Sequence, residues 1–345
     1  MKTSKRLVGL DGIRGVMALI VAMSHALGHL TGWNSGIYIF NNADYAVEVF
    51  FILSAIALVY SYGDKIKTLE LSVYHFFLKR FFRIYPLHWF CLLLIFIIFL
   101  GDIPQWVGFN LSRDLLSDLT LTNSLVDLGF TNTLNQPAWS ISVEMWVGGP
   151  VLIAYLRNKL IFYTLFIASI IALLFHNVDN HGGGGDFGYY ISSGVIRCIY
   201  ATSIGLIIWD ALIHKELKQR LVNSIVNTSL FITLIIVWNL KLTNEFYLFF
   251  VVLTALGIAL LPSSNGMALT FLEHKFMRML GKYSFTLYLL HTPVIYLFLF
   301  FKSENITFNI LLSFIAIIFS LLISPKVYNS IEKRFNSKGK HLDGK

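Results

Sequence analysis

An arginine and a histidine stand eleven positions apart in one apolar run, from Leu10-Asp-Gly-Ile-Arg14 to Ser24-His25. At about 100° per residue the interval is three turns plus about 20°, so on a helix Arg14 and His25 share a face, roughly 16 Å apart along its axis. An ionisable side chain at the centre of a span costs about 2.5–3.5 kcal/mol on insertion scales, so each one needs a reason. A guanidinium near one membrane surface binds anions. An imidazole deeper in, with an ordinary pKa of about 6.5, offers at pH 7 a neutral form that accepts a proton. Together they suit a charged carrier that enters from one side and is used further in.

His29, Glu48, Glu144, Arg197 and His291 also fall inside apolar runs. His29, four residues after His25, stacks on the same face and reads first as a polar group bonded near the outer helix end. Arg80-Phe-Phe-Arg83 sets two guanidinium groups at i, i+3, which can grip phosphates through bidentate bonds or simply anchor a helix end. In Trp139-Ser-Ile-Ser-Val-Glu144, Ser140 and Glu144 share a helix face at a depth comparable to that of His25. There Glu144 can orient an imidazole, bind an acceptor hydroxyl, or pair with Arg197. Glu48 and Arg197 suit one another or the pocket. With Ser142 and with His291, which precedes Thr292-Pro293 and a freed carbonyl, they are the candidate substrate-binding residues. No His, Cys or carboxylate set has metal-ligand spacing, so no metal is expected.

These residues need a membrane to hold them. Of 345 residues 56% are hydrophobic and 13% charged, against about 25% charged in globular chains. Apolar runs long enough to cross about 30 Å of hydrocarbon recur throughout. Ten are expected, near 11–30, 43–62, 83–101, 139–156, 160–176, 189–211, 221–239, 245–262, 283–301 and 306–324. Backbone groups in lipid must bond internally, so the fold class is all-α, a polytopic membrane helix bundle. With a cytoplasmic N-terminus, 23 Lys and Arg fall on inner segments and only Arg113, Lys241 and Lys302 on outer loops, with Arg197 inside a span. That asymmetry predicts both termini in the cytoplasm. It also accounts for the +8 net charge through a membrane surface rather than nucleic acid.

The first run, broken by Asp11 and Arg14, reads as a retained span rather than a cleaved signal. Cys91 and Cys198 lie in spans and read as small buried hydrophobes. The longest outer segment, Asp102 to Ala138, contains a stretch from Leu111 to Leu119 with helical periodicity that suits the outer surface. The inner segment from Asp64 to Arg83 reads as an interfacial lead-in to the third span. His181-Gly-Gly-Gly-Gly-Asp-Phe-Gly188 reads as a connector, not a phosphate loop, because it lacks a Gly-Lys-Ser/Thr ending. Residues 1–335 form one transmembrane domain and 336–345 a short basic cytoplasmic tail.

Six segments, in order, resemble the acyltransferase type 3 family of bacterial inner-membrane O-acyltransferases. They are Leu10-Asp-Gly-Ile-Arg14 with ten residues to His25, Val47-Glu-Val-Phe-Phe-Ile-Leu-Ser54, Lys79-Arg-Phe-Phe-Arg-Ile-Tyr-Pro86, Ala138-Trp-Ser-Ile-Ser-Val-Glu144, Tyr283 to Pro293, and Tyr328-Asn-Ser-Ile-Glu-Lys333. The resemblance implies transfer of an acyl group, often acetyl, from cytoplasmic acyl-CoA to a carbohydrate hydroxyl outside the cytoplasm. It implies Arg14 and His25 as the catalytic signature and Arg80 with Arg83 at the CoA donor. Ala55 and Met145 depart from the family pattern, which has Gly and often a second acid at those places.

Residues and resemblance agree on one expectation. Acyl-CoA phosphates dock at Arg14, Arg80 and Arg83, and His25 acts as general base, with Glu144 steering the imidazole or the sugar. The expected partners are acyl-CoA as donor substrate, a carbohydrate acceptor and membrane lipids, with no permanently bound cofactor. Lipopolysaccharide O-antigen, capsule or another exopolysaccharide all fit as acceptor, and the bacterial inner membrane as location. A multi-pass transporter of a lipid-linked sugar or small solute is the alternative, and predicts an inverted repeat that the sequence does not display. A membrane-bound O-acyltransferase of the other His-dependent class would rely on His291 instead of His25.

Overall fold

The computed structural model describes residues 9–33, 35, 42–100, 110–127, 133–175, 190–213, 215–240 and 242–340. The 181–188 loop, Lys2, Lys5 and Arg6, Lys241, the first part of the 102–138 segment and the last five residues of the tail lie outside them.

The described residues are almost wholly helical. Eight stretches are long and apolar enough to cross a membrane. They comprise α1 (Leu10–Thr31), α2 (Ala46–Lys67) with its lead-in turn, α3 (Val73–Ile98), α5 (Ala138–Val143) running on into α6 (Gly149–Arg157), and α8 (Ser193–Leu212). The others are α9 (Gln219–Asn239), α10 (Asn244–Leu260), and α13 (Ile306–Val327) with α14 (Lys333–Lys340). Two more helices occupy expected spans without meeting that measure. One is α7 (Lys159–Phe175), which is short; the other is α12 (Lys275–Leu299), whose buried face carries Ser284, Thr286, His291 and Thr292. The short helices are α4 (Leu111–Leu119) and α11 (Met267–Leu272).

Helix α3 begins ten residues before the expected third span. Ser72 caps it, its hydroxyl accepting from the His75 N–H at 3.2 Å, so Arg80 and Arg83 lie inside the helix rather than in a lead-in. Leu111–Leu119 is helical as its periodicity predicts, but the chain after it does not remain at the surface. It folds back along α3, where Tyr85 Oη and Trp146 Nε1 donate to the Thr120 carbonyl, and Trp89 Nε1 donates to Leu119. Leu121, Asn123, Leu134 and Asn135 are buried there. Irregular backbone is tolerated beside membrane helices where protein encloses it. A two-residue antiparallel pairing, Val126–Asp127 with Tyr190–Ile191, ties this segment to the entry of α8.

Helix α1 packs most extensively on α12, and the two run parallel, since Gly15 meets Gly281 and His25 meets His291. Gly15 and Gly281 set the contact. A Cβ on Gly15 would stand 2.5 Å from the Gly281 nitrogen, and one on Gly281 would run into the Asp11 carbonyl. Only glycine permits this approach, the small-residue packing that lets membrane helices meet without a hydrophobic driving force between them. The contact fixes register: ten residues further along each helix stand His25 and His291.

A second lock joins α2, α8 and α10. Arg197 Nε donates to Glu48 Oε1 at 2.6 Å, Arg197 Nη2 to the Asp44 carbonyl at 3.2 Å, and Tyr247 Oη to Glu48 Oε1 at 2.9 Å.

Candidate active site

The face of α1 that carries Arg14 and His25 looks into the bundle. At the Leu10 end Arg14 Nη1 is 3.3 Å from Asp11 Oδ1, a pair one turn apart. Two further acids reach the same region from π-type turns, one extra residue inserted in a helix, which recur at functional sites. Glu144 opens the first such turn, between α5 and α6. Glu332 closes the second, after α13, and accepts from Thr286 Oγ1 on α12 at 2.6 Å.

Arg80 and Arg83 part company. Arg80 is buried and donates through Nη2 to Glu144 Oε1 at 2.7 Å and to the Glu144 carbonyl at 3.3 Å, while Ser54 Oγ donates to the same carboxylate oxygen at 2.8 Å. Arg83 is exposed, with its guanidinium 5.9 Å from the Phe285 ring, and lies within electrostatic reach of Arg14, Glu144 and Glu332. The result is a cluster of three guanidinium groups and three carboxylates at one end of the bundle. The side chains of Arg14 and Glu144 remain 23% and 27% accessible although helices surround them. They are not sealed into packed core.

Glu144, expected to steer the imidazole or the sugar, makes no hydrogen bond to His25 among the described residues. Glu144 meets Arg80 and Ser54, and the partner of His25 is His291, whose Nε2 lies 2.9 Å from His25 Nδ1. Trp139 and the preceding Leu134 and Asn135 are already buried. Glu144 therefore sits further in from the far end than its distance from Trp139 implies. His25 keeps partial exposure while His291 has none. The carbonyl freed by Pro293 is that of Leu289, and Asn135 Nδ2 donates to it at 3.1 Å. His291 Nδ1 instead lies 3.1 Å from the Leu287 carbonyl.

Beyond the imidazole pair, His29 Nε2 lies 2.7 Å from Gln136 Oε1, with Tyr296 edge-on at 5.9 Å and Lys302 Nζ donating to the His29 carbonyl. Glu48 and Arg197 form the sealed lock described above, with Trp139 5.6 Å from the guanidinium carbon. Ser142 is buried and donates to the Leu121 carbonyl at 2.6 Å. It pins the re-entrant segment.

Several polar residues at or near the site escaped the sequence reading. Ser54 and Glu332 lie in family-like segments that suggested no role for them individually. Gln136 sits beside a proline with nothing to mark it. His88, an imidazole inside an apolar run, carried the signal used for the others, and its Nε2 donates to the Asp118 carbonyl at 2.8 Å. Asp118, outside the spanning helices, accepts from Asn123, Thr133 Oγ1 and the Leu134 N–H at 3.1, 2.7 and 3.1 Å. Burial nonetheless pushes its carboxyl up to about 7.

Fold and site together define a multi-pass helical membrane protein with a cluster of arginines and carboxylates at one end and an imidazole pair inside. The chain belongs to the acyltransferase family whose profile, described as Acyltransferase domain, matches residues 7–325. It is 34% identical over 158 residues to protein 2 in picA locus of Rhizobium radiobacter, covering 41% of this chain and 79% of that protein. Over 155 residues it is 34% identical to acyltransferase MdmB of Streptomyces mycarofaciens, 40% of this chain and 36% of MdmB. With O-acetyltransferase OatA of Staphylococcus aureus the identity is 24% over 368 aligned positions, spanning 98% of this chain but 58% of OatA. No solved structure matches.

Proposed function

We propose that this protein is an O-acyltransferase of the bacterial inner membrane, with about ten spans and both termini cytoplasmic. It moves an acyl group, in the first instance acetyl, from cytoplasmic acyl-CoA to a carbohydrate hydroxyl on the other side. The observation that carries the reading is the arrangement on α1. Arg14 and His25 share one inward face, Arg14 joins Arg83 and Arg80 at one end of the bundle, and His25 retains accessible surface within the bundle. OatA, matched over nearly this whole chain, is named an O-acetyltransferase, which supports acetyl as the group moved and an oxygen acceptor.

Phosphates of the donor meet Arg14 and Arg83 at the mouth, and the pantetheine arm runs along α1, a reach of roughly 16 Å to the imidazole. Arg80 is held by Glu144, so its charge shapes the mouth from behind, and Glu144 acts as its partner. The acceptor hydroxyl approaches from the side of His29. His25 takes the hydroxyl proton as the oxygen attacks the thioester carbonyl carbon. The carbon–sulfur bond breaks, and the imidazolium returns its proton to the departing thiolate, giving the ester and free CoA thiol. Glu48, Arg197 and Ser142 support the site without lining it; their burial favours this assignment over contact with substrate.

The test compares surface carbohydrate by mass spectrometry from cells carrying the intact chain, no chain, or His25→Ala. One acetyl group per modified sugar appears only with the intact chain. Normal acetylation by His25→Ala refutes the assignment.

A further inference from the structure

The proposed reaction requires one particular ring nitrogen of His25 to face the hydroxyl, and the hydrogen bonds behind it decide which. His291 Nδ1 lies 3.1 Å from the Leu287 carbonyl, four residues back on α12. A carbonyl oxygen only accepts, so His291 Nδ1 bears the proton, and a neutral His291 presents a bare Nε2. That Nε2 lies 2.9 Å from His25 Nδ1, so His25 Nδ1 is the donor. A neutral His25 then has a bare Nε2, and among the described residues nothing hydrogen-bonds it.

We propose that His291 is a positioning residue that holds His25 in the Nδ1–H tautomer, leaving His25 Nε2 as the nitrogen that accepts the hydroxyl proton. The inference rests on the acyl-transfer reading above and adds a role for a histidine that never meets substrate. His291 is fully buried and His25 is partly accessible, so only His25 reaches the reacting groups.

Three features of the fold hold His291 in place. The Gly15–Gly281 contact sets the register of α1 and α12. Asn135 occupies the Leu289 carbonyl freed by Pro293, leaving the Leu287 carbonyl to His291. Tyr288, one ring away at 6.1 Å, is fixed by Ser140 through a 2.8 Å hydroxyl–hydroxyl bond. The arrangement also serves the charged state. When His25 takes a proton on Nε2, its Nδ1–H still points at the bare nitrogen of His291, and the bond becomes charge-assisted. No proton passes between the rings. His291 does for His25 what a carboxylate does for the imidazole in a hydrolase triad, without adding charge to an apolar interior.

The experiment follows labelled acetyl from acetyl-CoA into the carbohydrate fraction of membrane vesicles from producing cells, with acetyl-CoA varied, for the intact chain, His25→Ala, His291→Leu and His291→Gln. The glutamine amide oxygen replaces the bare Nε2 as acceptor; leucine offers none. Expected are no transfer for His25→Ala, a kcat about a hundredfold lower for His291→Leu with KM for acetyl-CoA within about twofold, and recovery by His291→Gln to within about tenfold of the intact chain. If His291→Leu fails to fold, His291→Met supplies the same comparison with glutamine. A leucine or methionine variant as active as the glutamine one overturns the positioning role, as does a folded, inactive His291→Gln. Transfer by His25→Ala at the intact chain's rate overturns His25 as the base, whereas no more label with the intact chain than in vesicles lacking it overturns the acyl-transfer reading itself, so the failures are distinct.

Discussion

Replacing Arg197 by methionine tests whether the Glu48–Arg197 pair is scaffold. In the intact protein the two charges lie 2.6 Å apart, with side chains 0% and 3% accessible. Arg197→Met leaves a buried carboxylate with the Tyr247 hydroxyl at 2.9 Å as its remaining side-chain donor. Removing one member of such a pair costs about 3–5 kcal/mol. At about 2.1 cal/mol/K of unfolding entropy per residue, a chain of 345 residues loses about 4–7 °C in Tm. Glu48→Met/Arg197→Met removes both charges and fills the space with apolar atoms, a change that is often neutral. Its Tm should return most of the way to that of the intact chain. Thermal unfolding of the purified protein in one detergent, followed by tryptophan fluorescence, gives the double-mutant cycle, and acetyl transfer per folded molecule accompanies it. If the losses of the two single variants simply add in the double one, the charges are not coupled and the reasoning fails. A stable double variant that transfers no acetyl would place the pair in the site instead.

Three further expectations concern register, the mouth and pH. Gly281→Ala forces α12 away from the Asp11 carbonyl and should cost about 1–3 kcal/mol, lowering both Tm and transfer; an unchanged rate would mean the helix contact does not set the imidazole pair. Arg83→Ala should raise KM for acetyl-CoA roughly tenfold or more, the loss of one charge-assisted bond of about 1.5–3 kcal/mol, and an unchanged donor dependence would remove Arg83 from the mouth. Asp118 binds its proton more tightly folded than unfolded, so the unfolded chain loses it first and stability falls as pH rises from about 4 to about 7. A series of Tm values against pH should show that decline, flattened in Asp118→Asn; an equal slope in the variant would assign the decline elsewhere.

How far residues alone led is visible in particular places. Arg14 and His25 on one inward face followed from helical periodicity and the cost of charge in lipid, both local properties, and the structure has them so. Pairing of Glu48 with Arg197 was one of two options open, because sequence shows that each buried charge needs a partner and not which one. For Glu144 the sequence leaves an imidazole, an acceptor hydroxyl or Arg197 open and the structure gives Arg80, since its depth depends on where a non-helical segment enters the bundle. Irregular backbone has no period from which depth can be counted.

Composition and apolar periodicity determined by themselves that this chain is a helical membrane bundle with a cation and an imidazole aligned on its first helix. Those properties depend only on neighbours within one helix, where geometry repeats every turn. The His25–His291 bond, the hold of Glu144 on Arg80 and the convergence of Glu332 on the mouth were decided by tertiary structure. The bonds behind them join residues 266, 64 and, for Glu332 with Thr286, 46 positions apart, and each depends on how closely two helices approach, which glycines at a contact and extra residues in a turn set only once the helices have met.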